Sequence, residues 1–255
     1  MKINDSVCVV TGGLNGLGKA TVDKLLEMKA IVIIFDIIKP TNYYKILSEK
    51  YKNRLDYVHT DITNEDNVIL SVDYVINKYN KLNILINCAG IGYVEEIISN
   101  NTTHNTKKFI DVFNINCFGT FLCSKHAANH IKNSPLDSSN ERGVIINVAS
   151  IAGTEGTSGQ VAYSASKGAI IGMSMPMARD LCKYNIRVST ISPGPIDTGI
   201  KMGEYSNKLK EMSLLKRFGY PSEFASLVIH IIDNQYLAGS IIRLDGGLIK
   251  PHIEL

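Results

Sequence analysis

Tyr163 and Lys167 stand four residues apart in Tyr-Ser-Ala-Ser-Lys, and the Gly-Ala-Ile-Ile-Gly-Met that follows keeps helical spacing. On a helix this separation places both side chains on one face. An ammonium beside a phenol favours the phenolate and draws the tyrosine pKa down from its ordinary value of about 10. A tyrosine tuned in this way exchanges a proton with a substrate oxygen. Ser150 closes an apolar run, at the strand edge where open α/β sheets bind ligands, and its hydroxyl can hydrogen-bond the same oxygen. Singly, each has a plainer reading, since a Tyr and Lys at this spacing are more often a solvated helix face.

A second group of residues can bind a dinucleotide. Thr11-Gly-Gly-Leu-Asn-Gly-Leu-Gly18 places Gly12, Gly16 and Gly18, with Asn15 and Leu17 between them, in a turn after an apolar run. Glycines there let the backbone turn tightly, approach a pyrophosphate and bring a helix close to a strand, and the helix N-terminus offers free N–H groups to phosphate. Asp36 follows about 20 residues on, where a carboxylate accepts hydrogen bonds from an adenosine ribose and repels a 2′-phosphate. Neither Asn15 nor Ile37 supplies a cation, although Lys39 is near, so NAD is expected rather than NADP.

These residues need a scaffold, and the chain reads as an α/β protein with a doubly wound parallel sheet of about seven strands, one domain spanning 1–255. Strands are predicted at Val7–Thr11, Ile31–Asp36, Leu55–His59, Leu82–Asn87, Gly143–Ala149, Ile186–Ile191 and Ser240–Leu244. The last is apolar enough to suggest cover on both faces. Leu17, Thr21, Leu25 and Met28 predict a helix after the glycine turn. The polar stretches Glu95–Lys108 and Lys132–Arg142 read as surface loops.

Composition narrows the function classes. The 255 residues carry a formal charge of +3 from well-mixed signs, with no basic stripe, so direct nucleic-acid binding is not expected and a small molecule is the natural partner. No apolar run reaches about 18 residues, so no membrane span is expected. Five scattered cysteines form no CxxC pair, which fits a reducing compartment better than a disulfide framework or a zinc site. His126 and His130 are four apart but lack a third ligand, so no metal is expected. Asn100 and Asn101 each begin an Asn-x-Thr triplet, read as chance without a secretory signal.

Taken together, Thr11–Gly18, Asn87-Cys88-Ala89-Gly90, Ser150, Tyr163–Lys167 and Pro193-Gly194 follow the order TGxxxGxG, NAG, Ser, YxxxK, PG. In this the chain resembles the short-chain dehydrogenase/reductase family over nearly its whole length. The resemblance implies a hydride-transferring oxidoreductase in which Asn116 joins Ser150, Tyr163 and Lys167 by holding the water that links Lys167 to solvent. It also implies that Asp61, with Ile62, contacts adenine, that Asn87, Ala89 and Gly90 line the cofactor cleft, and that Pro193, Gly194, Ile196 and Thr198 wrap the nicotinamide end. Arg142-Gly-Val-Ile-Ile-Asn, Ala178-Arg-Asp-Leu and Ile242-Arg-Leu-Asp-Gly, with the two polar loops, look like the type 2 3-hydroxyacyl-CoA dehydrogenases, also called 17β-hydroxysteroid dehydrogenases type 10.

That likeness implies an acyl-CoA or steroid substrate, a homotetramer and a mitochondrial protein with an uncleaved N-terminus, the cytosol being the alternative compartment. Two departures bear on the substrate. Thr157 replaces a glutamine of the substrate cleft, and the segment from Pro195 to Gly219 is a few residues short. Two other functions stay open: an NADPH-dependent 3-oxoacyl carrier-protein reductase, and a structural subunit of a mitochondrial transfer-RNA-processing assembly.

Overall fold

Val, Ile and Phe dominate the short apolar runs, and their β-branched and aromatic side chains suit a pleated surface buried on both sides. In the computed structural model, which describes residues 1–100, 102–199 and 205–248, these runs become a seven-stranded parallel sheet. Its strands are β1 (Val7–Thr11), β2 (Ile31–Asp36), β3 (Leu55–His59), β4 (Ile84–Asn87), β7 (Gly143–Val148), β8 (Ile186–Pro193) and β9 (Ile241–Leu244). The spatial order is β3-β2-β1-β4-β7-β8-β9. The chain winds outward from β1 to β3, then returns to lay β4 on the other side of β1. This reversal opens a crevice at the carboxyl ends of β1 and β4, the place where doubly wound sheets bind ligands.

Alternation along the strands divides the core into two layers. Cys8, Val10, Ile34, Ile84 and Ile86 face α1 (Gly16–Glu27) and α8 (Pro221–Asp233), meeting Val22, Leu25, Phe224 and Val228. Val7, Val9, Ile33, Phe35 and Leu85 face the other way, toward α3 (Glu65–Tyr79) and α5 (Gly119–Ile131). A long helix, α6 (Val161–Cys182), lies along β8 on this second side. The buried face of α1 is Thr21, Val22, Leu25 and Leu26, so the helical stripe does not end at Met28, which is 41% exposed.

Several expectations need correction. Glu95–Lys108 is not one loop: it holds a small antiparallel hairpin, β5 (Ile98–Ser99) and β6 (Thr102–Thr103), and the start of α4 (Thr106–Phe113). Asn105 caps α4 by accepting a bond from the Lys108 N–H, a short polar signal easily read as loop. Strand β9 is not covered on both faces. It is the sheet edge, bonded to β8 alone, and Ile241 is 44% exposed. Asn101, one of the two Asn-x-Thr positions, and residues 200–204 of the segment after Gly194 lie outside the described residues.

Lys132–Arg142 forms no regular element, yet it supplies Glu141 to a buried ion pair. The Glu141 carboxylate accepts a bond from Arg187 Nε, and both side chains are 9% exposed. The Arg187 guanidinium also donates to the Ile231, Ile232 and Leu237 carbonyls at 2.8–2.9 Å, tying β8 to the end of α8. The Met1 ammonium also reaches Glu141 at 2.9 Å, so removing the carboxylate strands two buried cations. Glu141→Ala is therefore expected to lower unfolding free energy by about 3–5 kcal/mol, read from denaturant melts.

Candidate active site

The crevice is a cleft of about 980 Å³. At one end lies the glycine turn. Gly12 has φ +65°, and a Cβ on Gly18 would fall 2.2 Å from the Gly12 carbonyl oxygen, so helix and turn meet only without side chains. Asn15 precedes α1 without a side-chain capping bond, and the first turn has no acidic residue. Its N–H groups are thus unspent and face the cleft that Gly12, Asn15, Gly16, Leu17 and Gly18 line.

Asp36 ends β2 as expected and is 7% exposed. Its two oxygens accept bonds from the Leu14 N–H at 3.1 Å and the Ile38 N–H at 3.0 Å, so the carboxylate also clamps the glycine turn to the β2 end. Lys39 is exposed and does not line the cleft; among the described lining residues the only Lys or Arg is Lys167, in the catalytic group. Asp61 and Ile62 line the same end. Asp61 Oδ1 accepts bonds from the Thr63 N–H and hydroxyl at 2.9 and 2.7 Å, a turn that holds the segment in place. An elongated cleft with free helical N–H groups, a carboxylate and no nearby cation fits a nicotinamide dinucleotide.

The reactive residues gather at the ends of β7 and α6. Ser150 follows β7 and caps a 3-10 turn, Ile151–Gly153, its Oγ accepting a bond from the Ala152 N–H at 3.1 Å. That turn rests directly on α6: a Cβ on Gly153 would lie 2.8 Å from the Lys167 carbonyl carbon. The contact fixes Ser150 relative to Tyr163 and Lys167. Lys167 is 5% exposed, which rules out a solvated helix face, and its Nζ donates to the Val148 carbonyl at 2.8 Å. Nζ sits 5.8 Å from the centre of the Tyr163 ring.

The expected lowering of the tyrosine pKa does not occur in this arrangement. Burial raises the Tyr163 pKa, and the Ser150 hydroxyl draws it partly back down. Burial pushes the Lys167 ammonium down to about 8, against the weaker opposing influence of Cys88 and Cys117. Burial is the largest influence on both groups, and neither has the other among the influences on its pKa.

Asn87 stands elsewhere than expected, and Asn116 sits behind the cleft wall. Asn116 does not line the cleft. It is fully buried in a π-helical turn, Asn114–Phe118, and its amide is held by the Ile91 N–H and carbonyl at 2.8 and 2.9 Å and by Ser166 Oγ at 3.0 Å. Its side chain holds the Gly90–Ile91 segment beside Lys167: a Cβ on Gly90 would lie 3.0 Å from Asn116 Oδ1 and 3.5 Å from Lys167 Nζ. Asn87 likewise points into the core, its NH2 donating to Ser124 of α5 at 3.0 Å and to Asn147 across the β4–β7 pair at 2.9 Å. Ala89 and Gly90 line the cleft, as do Pro193, Gly194, Ile196, Thr198 and Thr157. Reasoning from sequence missed Gln160, one helical turn before Tyr163, and Leu209, which also line it. The i, i+3 spacing to Tyr163 was the available signal for Gln160.

Residues 6–209 match the family described as short chain dehydrogenase. The chain belongs to this family. Among proteins similar to this dehydrogenase is a human one named 3-hydroxyacyl-CoA dehydrogenase type-2, 36% identical over 248 residues, covering 95% of this chain and 94% of that one. A 3-oxoacyl-(acyl-carrier-protein) reductase of Thermotoga maritima is 31% identical over 98% of this chain and all of its own length. A Mycobacterium avium crystal structure titled 3-hydroxyacyl-CoA dehydrogenase type-2 aligns with TM-score 0.89 at 32% identity, over 98% of each chain.

The dehydrogenase pairs His126 Nε2 with Glu65 at 2.8 Å and His130 Nε2 with Asp73 at 3.3 Å, so the two histidines engage separate carboxylates of α3. No helix among the described residues is long and apolar enough to cross a membrane.

With both Tyr163 and Lys167 biased toward neutral forms by burial, the phenolate is scarce at neutral pH. Alcohol oxidation, which consumes it, should accelerate from about pH 6 to about pH 9, whereas carbonyl reduction, which consumes the phenol proton, should not. Initial rates in both directions across that range check the sign.

Proposed function

We propose that this short-chain dehydrogenase interconverts 3-hydroxyacyl-CoA and 3-ketoacyl-CoA with NAD as its cofactor. The observation that carries the reading is the layout of one cleft. Ser150, Tyr163 and Lys167 converge at one end, and Asp36 stands at the other with no described Lys or Arg beside it. The similarity to proteins named 3-hydroxyacyl-CoA dehydrogenase type-2 over 95% of the chain supports the substrate class.

The nicotinamide ring, when bound, supplies the hydride acceptor. Tyr163 accepts the proton of the substrate hydroxyl, and Ser150 hydrogen-bonds the same oxygen and orients it. Lys167, anchored to the Val148 carbonyl, holds the base end of the site and contributes positive charge below its pKa of about 8. Gly12 to Gly18 bind the pyrophosphate through backbone N–H groups, and Asp36 accepts the ribose hydroxyls. Asp61 with Ile62 holds the adenine, and the 193–198 segment closes over the nicotinamide end. In the assembled protein we place four copies, as the family resemblance implies.

Carrier-protein reduction with NADPH is the competing chemistry within the family, and Asp36 separates the two. A 2′-phosphate would sit against a carboxylate with no compensating cation. On acetoacetyl-CoA, kcat/KM with NADH is expected to exceed that with NADPH by roughly a hundredfold, about 2.7 kcal/mol of discrimination, and Asp36→Ala should erase most of that difference. Paired initial rates with the two cofactors decide it. A preference for NADPH would overturn the reading.

A further inference from the structure

Beside the cleft, residues 95–98, the 156–161 segment and Ser164 line a second cavity of about 520 Å³ that is broadly open to solvent. Thr157 and Gln160 line both spaces, so the two meet just before α6 begins. Gln160 lies one helical turn, about 5 Å along the axis, ahead of Tyr163. Its Oε1 accepts a bond from the Thr157 N–H at 3.1 Å, which ties the amide back against its own loop at the junction. A substrate carbon chain that passes Thr157 and Gln160 therefore enters the side cavity.

The lining says what such a chain can carry. Ile97, Ile98 and Val161 give exposed apolar surface that a carbon chain can cover. Ser164 also lines the cavity, and its Oγ is buried without a hydrogen-bond partner, an unmet polar group that a ligand can satisfy. Glu96 keeps one oxygen on Ser158 Oγ at 3.2 Å, and Glu95 is held by the Tyr93 hydroxyl and the Asn105 N–H. No lysine, arginine or histidine is among the described residues that line the cavity. A polyphosphate between two carboxylates would be repelled, so the nucleotide end of a CoA thioester leaves by the mouth of the main cleft. The acyl chain is the part that passes Gln160.

We propose that the side cavity is the subsite for the far end of the acyl chain, and that Glu96 makes it accept a neutral or hydrogen-bond-donating end and refuse an anionic one. This rests on the acyl-CoA reading above. The exclusion works by placing like charge against the wrong substrate, which costs nothing for the right one.

The test compares eight-carbon 3-ketoacyl-CoA thioesters whose carbon 8 is a methyl, a hydroxymethyl or a carboxylate, with acetoacetyl-CoA as control and NADH as reductant. For the native chain, kcat/KM for the carboxylate is expected to fall roughly tenfold or more below the other two, which should lie within about threefold of each other. Glu96→Gln should close most of that gap and Glu96→Lys should reverse it, both leaving acetoacetyl-CoA turnover unchanged. If the carboxylate is used as well as the methyl, or if the gap survives both substitutions, the subsite assignment is wrong. Failure to use any eight-carbon chain while acetoacetyl-CoA is turned over overturns it equally. Absence of acetoacetyl-CoA turnover in the native chain would overturn the acyl-CoA reading itself.

Discussion

Lys167 is a chargeable amine taken almost wholly out of water, with a single hydrogen bond to the Val148 carbonyl, and the site depends on its staying there. Burial of an unpaired ammonium is costly, which is why its pKa falls to about 8. Only a rigid frame can hold it. The frame is β7, which offers the Val148 carbonyl, and α6, which carries Lys167 and is pressed against the 3-10 turn after Ser150. Asn116 seals the far side by clamping Ile91 to the π-helical turn. Loosening any of these would let water reach the amine and separate it from the phenol.

The same frame explains why one sheet serves two tasks. The reversal of strand order between β1 and β4 opens the cleft, and every group in it arrives on a strand end or a helix start. In the proposed reading, cofactor contacts come from the segments after β1, β2, β3, β4 and β8 and catalytic ones from β7 and α6. Substrate choice falls to neither. In the proposed reading it lies with residues 95–98 and the 156–161 segment, which stand outside the parallel sheet.

Much of this was legible in the residues. The strand at Ile31–Asp36 is bounded as the apolar run is, and the glycine turn, Asp36, Ser150 and Tyr163–Lys167 converge on one cleft because their spacing encodes strand, turn and helix. What sequence could not give was direction and environment. Asn87 and Asn116 look like site residues, yet the Asn87 NH2 donates to Ser124 and Asn147 and the Asn116 amide is held by Ile91 and Ser166, a direction that spacing does not reveal. The tyrosine pKa was misread for a related reason: spacing reveals a neighbouring ammonium but not that both groups are desolvated. Strand β9 misled because an apolar run gives no sign of whether a second neighbour exists.

The central claim is that Tyr163 moves the proton while hydride passes from substrate carbon to nicotinamide. Incubating 3-hydroxybutyryl-CoA deuterated at carbon 3 with NAD, and reading the isotope on the reduced nicotinamide by mass spectrometry, tests it directly. The account predicts one deuterium transferred by the native chain, and for Tyr163→Phe a rate about 100-fold to 10,000-fold lower with cofactor binding retained. Transfer by Tyr163→Phe at the native rate would contradict it.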